Sequence, residues 1–214
     1  MIFNSIIFWI FFALVYGLYR LFSHRAQNIL LLVASYLFYG WWDWRFLILI
    51  AVTSFCSWGS GLWIQHVRHH SPRLKSFQHG DRAAWWISAA NIAINLLILG
   101  FFKYYNFFVD NFVALFAQWG ISLAPQTLHI ILPVGISFYT FQALSYSIDV
   151  FRRKMEPTRD ILAFFTFVAY FPQLVAGPIE RASHLLPQIQ HPRVITPEGM
   201  KTGAWLIFWG LFKK

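Results

Sequence analysis

MIFNSIIFWIFFALVYGLYR, Met1 to Arg20, carries no charged side chain before its last residue. A helix over Met1 to Tyr19 rises about 28 Å, close to the roughly 30 Å of a bilayer's hydrocarbon core. A secretory signal peptide competes for this stretch, but it needs a positive segment ahead of a shorter apolar core and a small-residue cleavage site. Neither is present. The same texture continues outward along the chain: 58% of residues are hydrophobic and 12% charged, against roughly 25% charged in soluble domains. Lipid is therefore the solvent for most of this sequence, and the fold class is all-α, a polytopic transmembrane helical bundle.

Five spans follow: Met1 to Phe22, Ile29 to Trp42, Phe46 to Ile64, Ala83 to Phe102 and His129 to Val150. Trp41, Trp42, Trp44, Trp85 and Trp86 lie near block ends, where aromatic belts form at the headgroup level. Tyr104 to Gln126 mixes Asn106, Asp110, Asn111 and Gln118 with aromatics and reads as a separate helix at the outer interface. Ile161 to Arg181 is apolar but interrupted by Pro172, Gly177 and Pro178, and is expected to enter from the inner side and return there. Gly203 to Phe212 is too short for a span. Cys56 is the single cysteine, which excludes an internal disulfide.

Orientation follows from the basic residues, which collect in short cytoplasmic loops. The clusters are Arg20 with Arg25; Arg68, Arg73, Lys75 and Arg82; and Arg152, Arg153, Lys154 and Arg159. Arg45 and Lys103 fall on the other side, so five alternating spans place the N-terminus outside without conflict. The net charge of +9 belongs to these loops. It is not the continuous basic face that nucleic acid requires, and no nucleic-acid partner is expected.

Polar residues recur at helical spacing inside the spans. Ser88, Asn91 and Asn95 share a face of the fourth, and Thr53, Ser57, Ser60 and Gly61 one of the third; both read as packing faces between helices. On the fifth, Tyr139, Gln142, Tyr146 and Asp149 line up. Two readings stand for Asp149: an acid snorkelling to Arg152 or Arg153, and an acid lining a polar cavity. His66, His69, His70 and His79 lie in a basic stretch with only Asp81 as a further ligand type, so they read as a polar loop and no metal is expected. No nucleophile elbow, phosphate loop or dinucleotide fingerprint occurs.

Two passages carry more: LPVGISFYTFQALSYSIDVFR, Leu132 to Arg152, and YFPQLVAGPIERASHLLPQ, Tyr170 to Gln188. They closely resemble the membrane-bound O-acyltransferase family, nearest to the bacterial branch that acetylates alginate and related exopolysaccharides. The teichoic acid D-alanylation transferase is a more distant likeness. SYLFYGWWDWRFL, Ser35 to Leu47, and GFFKYYNFF, Gly100 to Phe108, resemble the same branch.

The resemblance implies O-acetylation of alginate or a related exopolysaccharide at the bacterial inner membrane. It implies a water-accessible funnel, beside which Tyr139, Gln142, Tyr146, Asp149, Gln173, Glu180 and Arg181 would lie. The expected partners are the bilayer, other polysaccharide acetylation proteins on the outer side and an acyl donor such as acetyl-CoA, a substrate and not a bound cofactor. The family's histidine sits in a Trp-His pair, and no such pair occurs here. Residues 1–214 are therefore expected to be the N-terminal part of one acyltransferase domain, inactive alone, since general base catalysis is typically worth about 10²–10⁴ in rate. The alternative function is a non-enzymatic membrane subunit or transporter; transport would be favoured by inverted repeats and charged midplane residues, neither of which is clear.

Overall fold

The computed structural model describes residues 5–70, 79–119, 132–174 and 177–213. Among them all regular structure is helical, in agreement with the all-α reading. The helices are α1 Ile6–Leu21, α2 His24–Gly40, α3 Leu47–His70, α4 His79–Gln118, α5 Ile136–Phe151, α6 Ile161–Val168, α7 Phe171–Leu174, α8 Ala182–Gln190 and α9 Pro197–Lys213. A 3₁₀ turn, Trp44–Phe46, leads into α3, with the Asp43 carboxylate accepting from the Arg45 backbone N–H and from its guanidinium. That pairing holds the Asp43 carboxyl below its ordinary range.

The sequence boundaries need three corrections. Ala83 to Phe102 and Tyr104 to Gln118 are one helix of 40 residues from His79, not a span followed by a separate interfacial helix. Asn106, Asp110 and Asn111 change the composition, but none of them breaks backbone hydrogen bonding, and the Asn111 amide simply donates back to the Phe107 carbonyl. At about 1.5 Å per residue α4 is about 60 Å long, twice the hydrocarbon thickness. Residues 120–126 of the expected interfacial helix lie outside the described residues. His66, His69 and His70 belong to the last turns of α3 and not to a loop. The fifth helix starts at Ile136, because Gly135 stands at φ 75°, in the left-handed region where helices do not propagate. A Cβ at Gly135 would also lie 2.7 Å from the Leu174 carbonyl oxygen.

α3, α4 and α5 pack together along a polar seam. Asn91 and Asn95 of α4 reach Ser57 of α3, and Ser60 of α3 meets the Ser147 hydroxyl of α5 at 3.2 Å. Ser57, Ser60, Asn91 and Asn95 thus act as the interhelical glue their spacing suggested, whereas Thr53 donates to the Leu49 and Ile50 carbonyls of its own helix. Gly61 sits in the same seam, where a Cβ would come within 2.7 Å of the Tyr146 hydroxyl. Outside the seam polarity is reversed: Ile10, Leu14, Leu37, Phe55, Leu97 and Phe108 are largely exposed. Apolar outside and polar within suits a chain solvated by lipid. Two helical stretches, Trp44–His69 and Arg82–Gln118, are each long and apolar enough to cross a membrane, while Ile6–Leu21 and Ile161–Leu174 are shorter apolar helices.

The segment after α5 runs back alongside it and then reverses. Phe164 of α6 packs on Tyr146, Phe167 lies beside Gln142, and Leu174 at the end of α7 reaches Gly135 at the start of α5. α8 then returns until the Gln190 amide donates to the Thr158 hydroxyl at 2.6 Å, just ahead of α6. The two legs of the excursion thus begin and end at one point. Around that point the same end of the bundle is tied together. Arg68 donates to the carbonyls of Val150 and Phe151 in the last turn of α5, the first of which also accepts from the Arg153 N–H. Arg193 donates to the Tyr19 hydroxyl and to Asn28.

Candidate functional site

Helical hydrogen bonding is interrupted between α6 and α7. Pro172 has no N–H to offer the Val168 carbonyl, and its ring crowds that oxygen, so the helix ends before it. The interruption is deeply buried, and free peptide groups there would cost several kcal/mol each in a dry interior. Two neighbouring helices supply the missing partners. From α5 the Gln142 amide donates to the Phe167 carbonyl at 2.7 Å. From α2 the Ser35 hydroxyl accepts from the Phe171 N–H at 3.1 Å while donating to the Leu31 carbonyl. Phe167 and Phe171 are the pair that an unbroken helix would have joined.

The other residues singled out from sequence arrange themselves around this interruption. Tyr139 is fully enclosed, its ring edge-on to that of Tyr39 with centroids 6.2 Å apart. Tyr146 is equally enclosed; its hydroxyl accepts from the Thr158 N–H at 3.2 Å. Asp149 is buried, and among the described residues its Oδ2 has no hydrogen-bond partner. Gln173 is buried on α7, where its amide donates to the Pro178 carbonyl at 2.6 Å and closes the turn over Gly177. Glu180 and Arg181 lie apart from these, at the more open start of α8; the Glu180 carboxylate faces the His184 ring nitrogen at 3.1 Å. Tyr139, Gln142, Tyr146, Asp149 and Gln173 thus sit along or beside the seam between α5 and the excursion, and Glu180 and Arg181 mark its outer turn.

Sequence reasoning passed over Ser35 and Thr158. Ser35 was visible as the one serine in an apolar run of the second span. Thr158 gave no signal, since its partners come from four places: Trp58 donates to its carbonyl, Gln190 to its hydroxyl, the Asp160 N–H to the same hydroxyl, and its own N–H meets Tyr146.

Two cavities accompany this core. One, about 620 Å³, is a mainly apolar groove between α1, α8 and α9 with Arg193 at its wall. The other, about 670 Å³, is a polar cleft at the end of α3. Tyr139, Gln142, Tyr146 and Asp149 line neither. Among the described residues no three His, Cys, Asp or Glu side chains gather into a group that could hold a metal ion.

Comparison with known proteins gives one consistent likeness. The chain is 38% identical over 215 aligned positions to the probable alginate O-acetylase AlgI of Pseudomonas aeruginosa, covering all of this chain and 39% of that protein. It is 39% identical to the protein of the same name from Azotobacter vinelandii, again along its whole length and 41% of the relative. A peptidoglycan O-acetyltransferase of Helicobacter pylori is 30% identical over 210 positions, 86% of this chain and 37% of that protein. The chain thus spans about two-fifths of the length of these relatives. No family model and no solved structure matches it.

Proposed function

The chain being a relative of the probable alginate O-acetylases along its whole length, we propose that it forms part of a membrane-bound O-acyltransferase that acetylates alginate or a related bacterial exopolysaccharide. The identity over the entire chain carries this reading. The interruption between α6 and α7 accords with a membrane-embedded chain, because irregular backbone at membrane depth is tolerated where it is buried in protein, as here against Gln142 and Ser35. Five helices, α1 to α5, cross the inner membrane with the N-terminus outside, and α6 to α8 form the returning excursion. In favour of that topology, Arg20, Arg25, Arg68, Arg152, Arg153, Lys154 and Arg159 fall at the ends of helices tied together around Thr158 and Arg193, while Trp41, Trp42 and Arg45 fall between α2 and α3.

In this reading the face formed by Tyr139, Gln142, Tyr146 and Asp149, with Gln173, Glu180 and Arg181, borders the funnel of the complete enzyme. An acyl donor such as acetyl-CoA is its substrate, and polysaccharide acetylation proteins on the outer side are its partners. The acyl-transfer histidine lies in residues other than these, since no Trp-His pair occurs in the chain. The test is a fusion in which residues 1–214 replace the matching segment of a probable alginate O-acetylase, expressed in an alginate producer lacking its own. Restored O-acetyl groups on the polymer are expected, and Asp149→Asn in the fusion should lower them while insertion persists. A fusion that inserts and leaves the polymer bare would overturn the assignment.

A further inference from the structure

The cleft at the end of α3 has no part in the reading above. Its lining is Leu62, Trp63, Gln65, His66, His69 and Arg159. The order of these residues along α3 sets a gradient. Leu62 and Trp63, the latter 61% exposed, lie one to two turns toward the middle of the helix, and Gln65, His66 and His69 follow toward its end. Imidazoles three residues apart share a helix face. Across from them stands Arg159, whose position is fixed by its neighbour: Thr158 is clamped to α3 through Trp58, to α5 through Tyr146 and to α8 through Gln190. The nearest acid in sequence, Asp160, is committed to its own helix, accepting from the Ala163 N–H at 3.0 Å. A guanidinium carried on an anchored backbone and two imidazoles therefore face a cavity of about 670 Å³ whose inner end is apolar and aromatic.

We infer that this cleft binds the phosphate of an anionic membrane phospholipid, its acyl chains lying along Leu62 and Trp63. A phosphate diester offers the acceptors that Arg159, His66 and His69 can donate to, and the apolar end meets the chains at the depth where an interfacial tryptophan sits. Basic pockets between helices on the cytoplasmic side take lipid headgroups for the same electrostatic reason. A soluble phosphorylated acyl donor shares the phosphate but brings no pair of chains, which makes the two sources separable.

The inference rests on the chain being membrane-embedded, and release of the chain from membranes by alkaline carbonate would remove that premise separately. For the site itself, the full chain is purified in detergent, stripped of lipid and titrated by native mass spectrometry. The probes are phosphatidylglycerol and phosphatidylcholine with identical acyl chains. Phosphatidylglycerol should bind more tightly, and Arg159→Gln should weaken it about fivefold, the equivalent of about 1 kcal/mol for one basic residue at a membrane surface. Phosphatidylcholine, whose choline cation offsets the charge of the same phosphate, should bind more weakly from the start and lose less on Arg159→Gln. Arg25→Gln, the same charge loss outside the cleft, should leave both lipids unaffected. Should Arg159→Gln not remain monodisperse, the His66→Gln, His69→Gln pair carries the same expectation. Equal effects of Arg159→Gln and Arg25→Gln would reduce the preference to general surface charge and overturn the site. Displacement of phosphatidylglycerol by equimolar coenzyme A would assign the cleft to a soluble phosphate and overturn it equally.

Discussion

Replacing Gln142 by leucine removes one hydrogen bond and almost no volume, which isolates what the interruption between α6 and α7 needs. Gln142 is 1% exposed and its amide is 2.7 Å from the Phe167 carbonyl. The N–H that would otherwise serve that carbonyl, from Phe171, is held by Ser35. Gln142→Leu therefore leaves a buried acceptor bare, at a cost of about 1–3 kcal/mol. For a chain of 150–250 residues each kcal/mol moves the melting temperature by about 2–4 °C, so the midpoint should fall by about 2–12 °C. The assay is thermal unfolding of the purified chain in detergent, with retention on size exclusion as the readout. Ser35→Ala should act similarly, and because the two side chains serve the two ends of one missing bond, the double variant should depart from additivity by at least about 0.5 kcal/mol. A midpoint unchanged to within about 1 °C, or strict additivity, would show that the interruption is not held by these side chains.

Gly61→Ala should destabilise the chain despite alanine's higher helix propensity: displacing the Tyr146 ring from a 2.7 Å contact costs about 1–3 kcal/mol, against a gain of about 1. Tyr146→Phe in the same chain should recover part of the loss, and a stabilised Gly61→Ala would refute the close approach. Cysteines at Lys154, Ser183 and His191 in a Cys56→Ser background should resist an impermeant thiol reagent on intact cells and react after permeabilisation, while one at Trp44 should react on intact cells; the reverse pattern inverts the topology. Because Arg45 lowers the Asp43 carboxyl, its contribution is present above the unfolded carboxylate pKa of about 3.9 and is lost as pH falls through the folded value. The stability difference between wild type and Asp43→Asn should thus be full at neutral pH and disappear only in acid, and a difference that persists unchanged below the folded carboxyl value would contradict that assignment.

How much could be read beforehand depended on the range of the interactions. The seam of Ser57, Ser60, Asn91 and Asn95 was legible because helical spacing alone places such residues on a face and lipid penalises any other use of them. The interruption was legible near Pro172, whose missing N–H is a local property. The end of the fourth span was not, because a change in composition at Tyr104 looks like a boundary while leaving every backbone hydrogen bond of α4 intact. Gln142 was singled out from its spacing, but the spacing could not say that its amide serves the Phe167 carbonyl 25 residues on. Thr158 was invisible for the same reason: its partners at Trp58 and Gln190 lie 100 and 32 residues away.

The dependence of the excursion on Ser35 and Gln142 also sets an order of assembly. Alone in lipid, residues 161–190 would expose the peptide groups around Phe167 and Phe171, each at a cost of several kcal/mol. The segment is therefore no independent passenger of the membrane: it can settle only against a surface already made by α2 and α5. Both of those helices precede it in the chain, so during synthesis the receiving surface leaves the ribosome before the segment it must receive. The direction in which the polypeptide is made thus matches the direction in which its polar groups can be satisfied.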